Sequence, residues 1–106
     1  MIVIVVFSPL SHADAVRRAL ADAGAGALGG YTACSFSAPG EGRFTPGAGA
    51  DPHIGRPDAP EVVDEVRIEC VCDDDVARAA VEAMLAAHPY EEPAYHCYRA
   101  LTVGDL

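Results

Sequence analysis

The pattern of hydrophobic and polar positions begins with an unbroken apolar run, IVIVVF, at residues 2–7. Because this run is apolar at every position, it predicts a strand that is covered on both faces. The apolar residues that follow have helical spacing, and Ser11 with Asp14 forms an N-terminal capping pattern. Together these features predict a first helix over residues 12–23.

The next segment divides into a short alternating stretch and a long irregular one. Residues 31–36, YTACSF, alternate as a strand does, with Cys34 and Phe36 on one face. Residues 38–60 are rich in Gly and Pro, and Phe44 is an isolated apolar position among them, which predicts irregular backbone. We expect a long arm or an extra hairpin here. Segments of this length are typical of binding loops, lids or contacts between subunits.

Residues 61–72, EVVDEVRIECVC, have the clearest alternation in the chain and predict a third strand. Glu65, Arg67 and Glu69 occupy one face of this strand. The apolar face carries Val66, Ile68, Cys70 and Cys72.

The last third of the sequence predicts one more helix and one more strand. Three aspartates precede a helical pattern that runs to His88, where negative charge favours a helix start. Proline follows His88 and disfavours the helical conformation there, so we expect the helix to end at this point. Residues 94–101 predict a closing strand, with Tyr95, Cys97 and Leu101 facing inward.

The predicted order is strand, helix, strand, arm, strand, helix, strand. Two β-α-β halves of this kind define an α+β ferredoxin-like sandwich, and the length of 106 residues fits one such domain, residues 1–106. Both helices cover the same face of the sheet in this plan. The other face must meet solvent or another chain, and the apolar strand at residues 2–7 favours another chain.

Charge and length exclude several classes of function. The formal net charge of -9 repels phosphate backbones and anionic lipid surfaces, so we expect no nucleic-acid and no membrane partner. The apolar N-terminus lacks a basic region and is too short for a signal peptide or a membrane span, which predicts a cytoplasmic protein. In a reducing compartment the four cysteines are expected to stay free.

Three stretches resemble the inserted domain of the NIF-three-like family, whose members are homologues of GTP cyclohydrolase I type 2. These stretches are residues 24–55, 61–69 and 87–95, and together they extend over nearly the whole chain. The family pattern matches in order and spacing at Gly24, Gly26, Tyr31, Cys34, Ser35, Phe36, Gly42, Phe44, Pro46, Gly49, Pro52, Gly55, Glu65, Arg67 and Glu69. The insert is similar in fold to the CutA and PII proteins, and HPYE at residues 88–91 also resembles a CutA motif.

The resemblance implies a CutA/PII-like fold and a homo-oligomer, because CutA and PII proteins are trimers. A trimer is favoured over a dimer on this ground. The resemblance does not imply catalysis. In complete family members the two metals are held by the flanking halves, and no residue in this chain matches those ligands. The hydrolase activity suggested by the family name therefore has no residues to carry it in this chain.

The stretch HPYEEPAY at residues 88–95 holds the candidate ligand-binding residues His88, Tyr90, Glu91 and Glu92. An imidazole and carboxylates are ligands that suit a divalent metal, so His88 and Glu91 are candidates for a metal site. The structural alternative is that this stretch forms only a corner, with His88 and the proline making a turn and Tyr90 packing as an anchor.

Two further groups of residues have both a functional and a structural interpretation. Cys70, Cys72 and Cys34 could form a thiolate cluster for a soft metal, but strand cysteines more often pack as small apolar residues. Glu65, Arg67 and Glu69 could contact a ligand or a neighbouring subunit, whereas paired charges on an exposed sheet face are normally just solvated.

These residues and the family resemblance leave three functional hypotheses. We favour a non-enzymatic oligomeric module that binds a metal ion or a small metabolite in clefts between subunits. The alternative is a cap or interaction subunit for a catalytic partner protein. A metal-dependent hydrolase rests on the family name only.

Overall fold

The computed structural model describes residues 1–106, and it has the predicted order of strands and helices. Short 3-10 helices at Leu10–His12 and Val103–Asp105 accompany the main elements. The main elements are β1 Ile2–Pro9, α1 Ala13–Asp22, β2 Phe36–Phe44, β3 Glu61–Cys72, α2 Ala77–Ala87 and β4 Tyr95–Arg99. The α+β ferredoxin-like prediction is therefore confirmed.

The four strands form one antiparallel sheet in the order β2-β3-β1-β4. β1 lies between two strands, with Ile4 opposite Cys70 of β3 and opposite Cys97 of β4. This central position explains why the β1 sequence is apolar throughout. Its alternate side chains enter the helix-covered core on one face and lie beneath larger neighbours on the other.

Both helices cover the same face of the sheet and enclose the hydrophobic core. α1 contributes Val16 and Leu20, whereas α2 contributes Ala80 and Met84. The strands supply the opposite side of this core with Ile4, Val6, Val66, Ile68, Cys70 and Cys72. The periodicities of the two helices and of β3 therefore identified the buried faces of these elements correctly.

The second strand differs from its predicted position. It begins where the predicted strand at 31–36 ends, because Ala33 has a positive φ of 57° and interrupts an extended backbone. β2 instead uses the first part of the predicted arm, and Pro39 is tolerated there because β2 is an edge strand. The arm proper is thus residues 45–60, the loop of the β2–β3 hairpin.

Two smaller predictions were also wrong. The first helix is not capped by Ser11, whose hydroxyl contacts the ring nitrogen Nδ1 of His12 at 2.8 Å instead. Tyr95, Cys97 and Leu101 were predicted to face inward, but all three are exposed. Because the helices lie over β1 and β3, the edge strand β4 contributes nothing to the core.

The face of the sheet away from the helices is open. Phe36 of β2 is 70% exposed there, and Tyr98 of β4 is exposed on the same face. Arg67 and Glu69 lie between them and form an ion pair of 3.1 Å with each other. No helix in the chain has the length and apolar character needed to cross a membrane.

Candidate functional site

One cleft lies where the arm, the segment after α2 and the ends of β1, β2 and β3 meet. Its volume is about 470 Å³. We call residues 88–94 the corner and this space the arm–corner cleft. The residues that line it are Phe7, Glu41, Gly42, Arg43, Phe44, Pro46, Ala50, Pro52, His53, Ile54, Glu65, Tyr90, Glu91, Glu92 and Ala94.

His88 anchors the corner to the sheet. It ends α2 with an extended backbone, φ -78° and ψ 136°, as expected for a residue before proline. Its Nε2–H donates to the carbonyl of Phe7 at 2.7 Å, and the backbone N–H of Tyr90 donates to its Nδ1 at 3.2 Å. Since a backbone N–H can only donate, the ring proton must be on Nε2.

Both ring nitrogens of His88 are thus occupied, and the side chain is buried. Burial is the main cause that lowers the pKa of His88, which keeps the imidazole neutral. A metal ion would have to displace one of these hydrogen bonds before it could bind His88. No group of three or more His, Cys, Asp or Glu side chains is placed to hold a metal.

Glu65, which the sequence groups with Arg67 and Glu69 as a possible ligand contact, is the one residue of these three that lines the cleft. It is only 8% exposed, and its Oε2 accepts a hydrogen bond of 2.8 Å from the hydroxyl of Tyr90. Burial, and next the bond to Glu65, raises the pKa of Tyr90. Glu65 makes no ion pair, and Oε1 accepts no hydrogen bond. The second carboxylate oxygen is therefore free to accept a donor from the cleft.

A glycine makes room for this carboxylate. Gly42 of β2 lies directly against the Glu65 side chain, and a Cβ at that position would overlap the carboxylate group. Glu65 can therefore fold down over the neighbouring strand instead of extending into solvent. In a sequence pattern, however, Glu65 cannot be distinguished from Arg67 and Glu69, which share its strand face.

The arm packs against the corner and closes one side of the cleft. The backbone N–H of Asp51 donates to both carboxylate oxygens of Glu91, at 3.1 and 3.3 Å. Within the arm, the N–H of Asp58 donates to the carbonyl of Pro46 at 2.7 Å, and Pro46 is buried. Glu91 therefore holds the arm in place.

Aromatic and imidazole rings surround Tyr90. Its ring centroid is 6.1 Å from Phe44, 6.4 Å from His53 and 5.0 Å from His88. His53 in turn packs edge-on against His12 at 5.7 Å. The cleft thus has an aromatic wall next to a buried carboxylate.

The structure brings together some of the predicted site residues and separates others. Tyr90, Glu91 and Glu92 line the cleft, whereas His88 lies behind Tyr90 and supports it. Arg67 and Glu69 do not line the cleft, because they pair with each other on the open sheet face.

The cysteines do not form a thiolate cluster. Cys70 and Cys72 are buried in the core, Cys97 is exposed, and all four thiols are free. Burial raises the pKa of Cys70 to about 11, so its thiol stays protonated at neutral pH. Cys34 is half-buried and shares a groove beside α1 with Cys70.

The fold is that of CutA proteins. The periplasmic divalent cation tolerance protein CutA from Archaeoglobus fulgidus matches with a TM-score of 0.65 over 94% of this chain and 84% of that chain. The two are only 15% identical in sequence, so this likeness concerns the fold alone. A closer sequence match among solved structures is a Bacillus cereus protein related to NIF3, with a TM-score of 0.79 and 45% identity.

The sequence relatives are larger proteins. The GTP cyclohydrolase 1 type 2 homolog of Halalkalibacterium halodurans is 44% identical over 102 residues, which are 96% of this chain and 27% of that protein. The Bacillus cereus match likewise covers 92% of this chain but 24% of the other. No protein-family model matches the chain. The chain is thus a homologue of the CutA-like segment of the NIF3-related proteins and spans about a quarter of their length.

Proposed function

We propose that this chain is a non-enzymatic binding domain that holds a small polar ligand in the arm–corner cleft and self-associates. The observation that carries this proposal is Glu65, a buried carboxylate with one free oxygen at a cleft of about 470 Å³. A carboxylate that is mostly buried but keeps one oxygen open to a cleft can meet a ligand there, and clefts of this size with few polar groups are typical of ligand sites.

The state of the neighbouring side chains supports binding and not catalysis. A general acid or base works best with a pKa near the operating pH. The pKa of Tyr90 is raised, which moves it away from neutrality, and both nitrogens of His88 are held by hydrogen bonds to the backbone. These groups are suited to positioning a ligand.

Metal binding by His88 and Glu91 stays a prediction with less support. His88 would lose a hydrogen bond, and Glu91 already accepts the N–H of Asp51. A divalent cation is therefore one member of the ligand panel described below and not the preferred ligand.

The open sheet face supports self-association, and the likeness to the CutA fold favours a trimer over a dimer. Phe36 and Tyr98 are large, exposed and apolar or aromatic, and they flank the ion pair of Arg67 with Glu69. A subunit contact would bury the rings and remove the pair from water. Native mass spectrometry of the purified chain reports the subunit number directly, and a monomer at micromolar concentration would contradict this part of the proposal.

A second function is supported by the lengths of the relatives. Because the chain matches one quarter of much larger proteins, it could act as a cap or interaction subunit for a catalytic partner. Such a subunit would have no small ligand of its own. It would gain stability only from the partner protein.

A thermal-shift panel separates these functions. The chain, isolated without chelators, is heated with divalent cations, with organic cations, with organic anions and with neutral sugars. A ligand at about 100 times its dissociation constant stabilises the fold by about 2.7 kcal/mol. A binding domain responds to at least one class, and Phe44→Ala, at the wall of the cleft, removes that response. A chain that responds to no class, and whose stability rises only with a partner protein, contradicts the proposal.

A further inference from the structure

The free oxygen of Glu65 indicates what kind of ligand the cleft takes. Oε2 is bonded to the Tyr90 hydroxyl at 2.8 Å, while Oε1 has no donor in the chain. Glu65 as a residue is 8% exposed and makes no ion pair, and Oε1 is open to the cleft, since no fully buried side-chain oxygen in the chain lacks a hydrogen-bond partner. A ligand that places a charged N–H at Oε1 would replace solvent there and supply a donor and a positive charge together.

The wall beside this carboxylate suits a cation as well. The rings of Phe44 and Tyr90 lie 6.1 Å apart at an angle of 56° and both line the cleft. A cation within about 6 Å of an aromatic face is attracted by the negative face of the ring. Phe44 and Tyr90 could therefore contact the same positively charged group that Glu65 pairs with, or the apolar body that carries it.

The charge around the entrance of the cleft is negative, like that of Glu65. Glu41, Glu91 and Glu92 line the cleft together with Glu65. The one arginine that lines it, Arg43, is already paired with Glu41 at 3.2 Å. Together with the net charge of -9, this arrangement attracts cations and repels anions.

The size and lining of the cleft favour an organic cation over a metal ion. A volume of about 470 Å³ falls in the range of sites for small organic molecules. A metal ion needs several converging ligands, and no group of three or more His, Cys, Asp or Glu side chains is placed to hold one, whereas the free oxygen of Glu65 lies beside two aromatic rings. An ammonium or guanidinium group on an apolar body satisfies both features.

We infer that the arm–corner cleft binds a small organic cation, an ammonium or guanidinium group on an apolar body, with Glu65 as its counter-charge. This inference rests on the proposed function and names its ligand class. It selects Glu65 from the three charged residues on that strand face and adds Phe44 to the residues that the sequence pattern indicates.

The test compares three probes of nearly equal size and different charge. Benzylamine is protonated at pH 7, benzyl alcohol is neutral and benzoate is negative. Each is titrated into the isotopically labelled chain, and amide chemical shifts of Glu65 and Tyr90 report binding at the cleft. We expect benzylamine to bind at least about tenfold more tightly than benzyl alcohol, and benzoate not to bind.

Two variants identify the counter-charge. Glu65→Gln keeps the size and an acceptor for the Tyr90 hydroxyl but removes the charge, and it should weaken benzylamine binding about tenfold with no effect on benzyl alcohol. The matched control is Glu82→Gln on the exposed surface of α2, which should change nothing. The comparison of probes on the unmodified chain stands even if Glu65→Gln fails to fold.

Several results would overturn the inference. These are equal binding of benzylamine and benzyl alcohol, preference for benzoate, no binding of benzylamine at the cleft, or full affinity in Glu65→Gln. The proposed function is judged separately by the thermal-shift panel. An anion or a sugar that stabilises the chain through the cleft would retain the binding domain and reject the cationic ligand.

Discussion

The hydrogen bond between Tyr90 and Glu65 gives the sharpest test of the site, because it joins the corner to the sheet. Tyr90→Phe removes only the hydroxyl that donates to Glu65 at 2.8 Å. Glu65, which is 8% exposed as a residue, then loses its only side-chain donor in the chain. The aromatic ring and its packing against Phe44 and His88 are retained.

The expected cost follows from the charge and burial of the acceptor. Hydrogen bonds to charged groups contribute about 1.5–3 kcal/mol, more than bonds between neutral groups. We expect Tyr90→Phe to lie toward the lower end of this range, because water in the cleft can reach the carboxylate. For a domain of this size, each 1 kcal/mol lowers Tm by about 4–8 °C.

Urea denaturation followed by circular dichroism at pH 7.5 measures the free energy of unfolding. The control is Tyr31→Phe, whose side chain is 76% exposed and makes no hydrogen bond, so it should change stability by less than about 0.5 kcal/mol. If Tyr90→Phe is as neutral as this control, then Glu65 does not depend on Tyr90. The description of the cleft would then be wrong.

Three further predictions concern a glycine, a histidine and two thiols. Gly42→Ala should displace the flexible end of Glu65 from the Tyr90 hydroxyl and lower the free energy of unfolding by no more than about 1.5 kcal/mol, the contribution of that bond, whereas Gly40→Ala, which faces open space, should not. Burial lowers the pKa of His88, so as the pH falls the imidazole is protonated in the unfolded chain before it is protonated in the folded chain. The stability contributed by the neutral, buried His88 is therefore complete above about pH 6.5 and is lost as the pH falls toward the folded-state pKa. Urea denaturation between pH 5 and 8 should show this loss as a fall in the free energy of unfolding. If a His88→Asn variant has the same pH dependence, His88 is not its cause. In native protein at neutral pH, N-ethylmaleimide should label exposed Cys97 well before buried Cys70, whose raised pKa keeps it a thiol; equal rates would refute this order.

Much of the fold could be predicted because its signals are local. The alternation of residues 61–72 places β3 and its two faces correctly, since side chains point to opposite faces at every step of a strand. Proline after His88 ends α2 where expected, because the restriction acts on the neighbouring residue alone. The run at residues 2–7 likewise indicates a strand covered on both faces.

Other elements depend on neighbours that the sequence does not identify. β2 contains Pro39 and two glycines, so its composition indicates a loop, yet pairing with β3 holds it extended at the sheet edge. The inward direction predicted for Cys97 fails for the same reason. Cys97 pairs with Ile4 and therefore lies on the face of the sheet that the helices cover, but the helices do not extend as far as β4.

In the candidate site, too, some features follow from local sequence and others from distant neighbours. The sequence by itself determined the corner, with Tyr90, Glu91 and Glu92 close together because they are neighbours in the chain. Only the tertiary structure decided that Glu65 belongs with them, since its carboxylate needs Gly42 on one strand and the Tyr90 hydroxyl 25 positions away along the chain. Periodicity records which face a residue takes, whereas burial of a charge depends on long-range contacts made after the strands and the arm have packed.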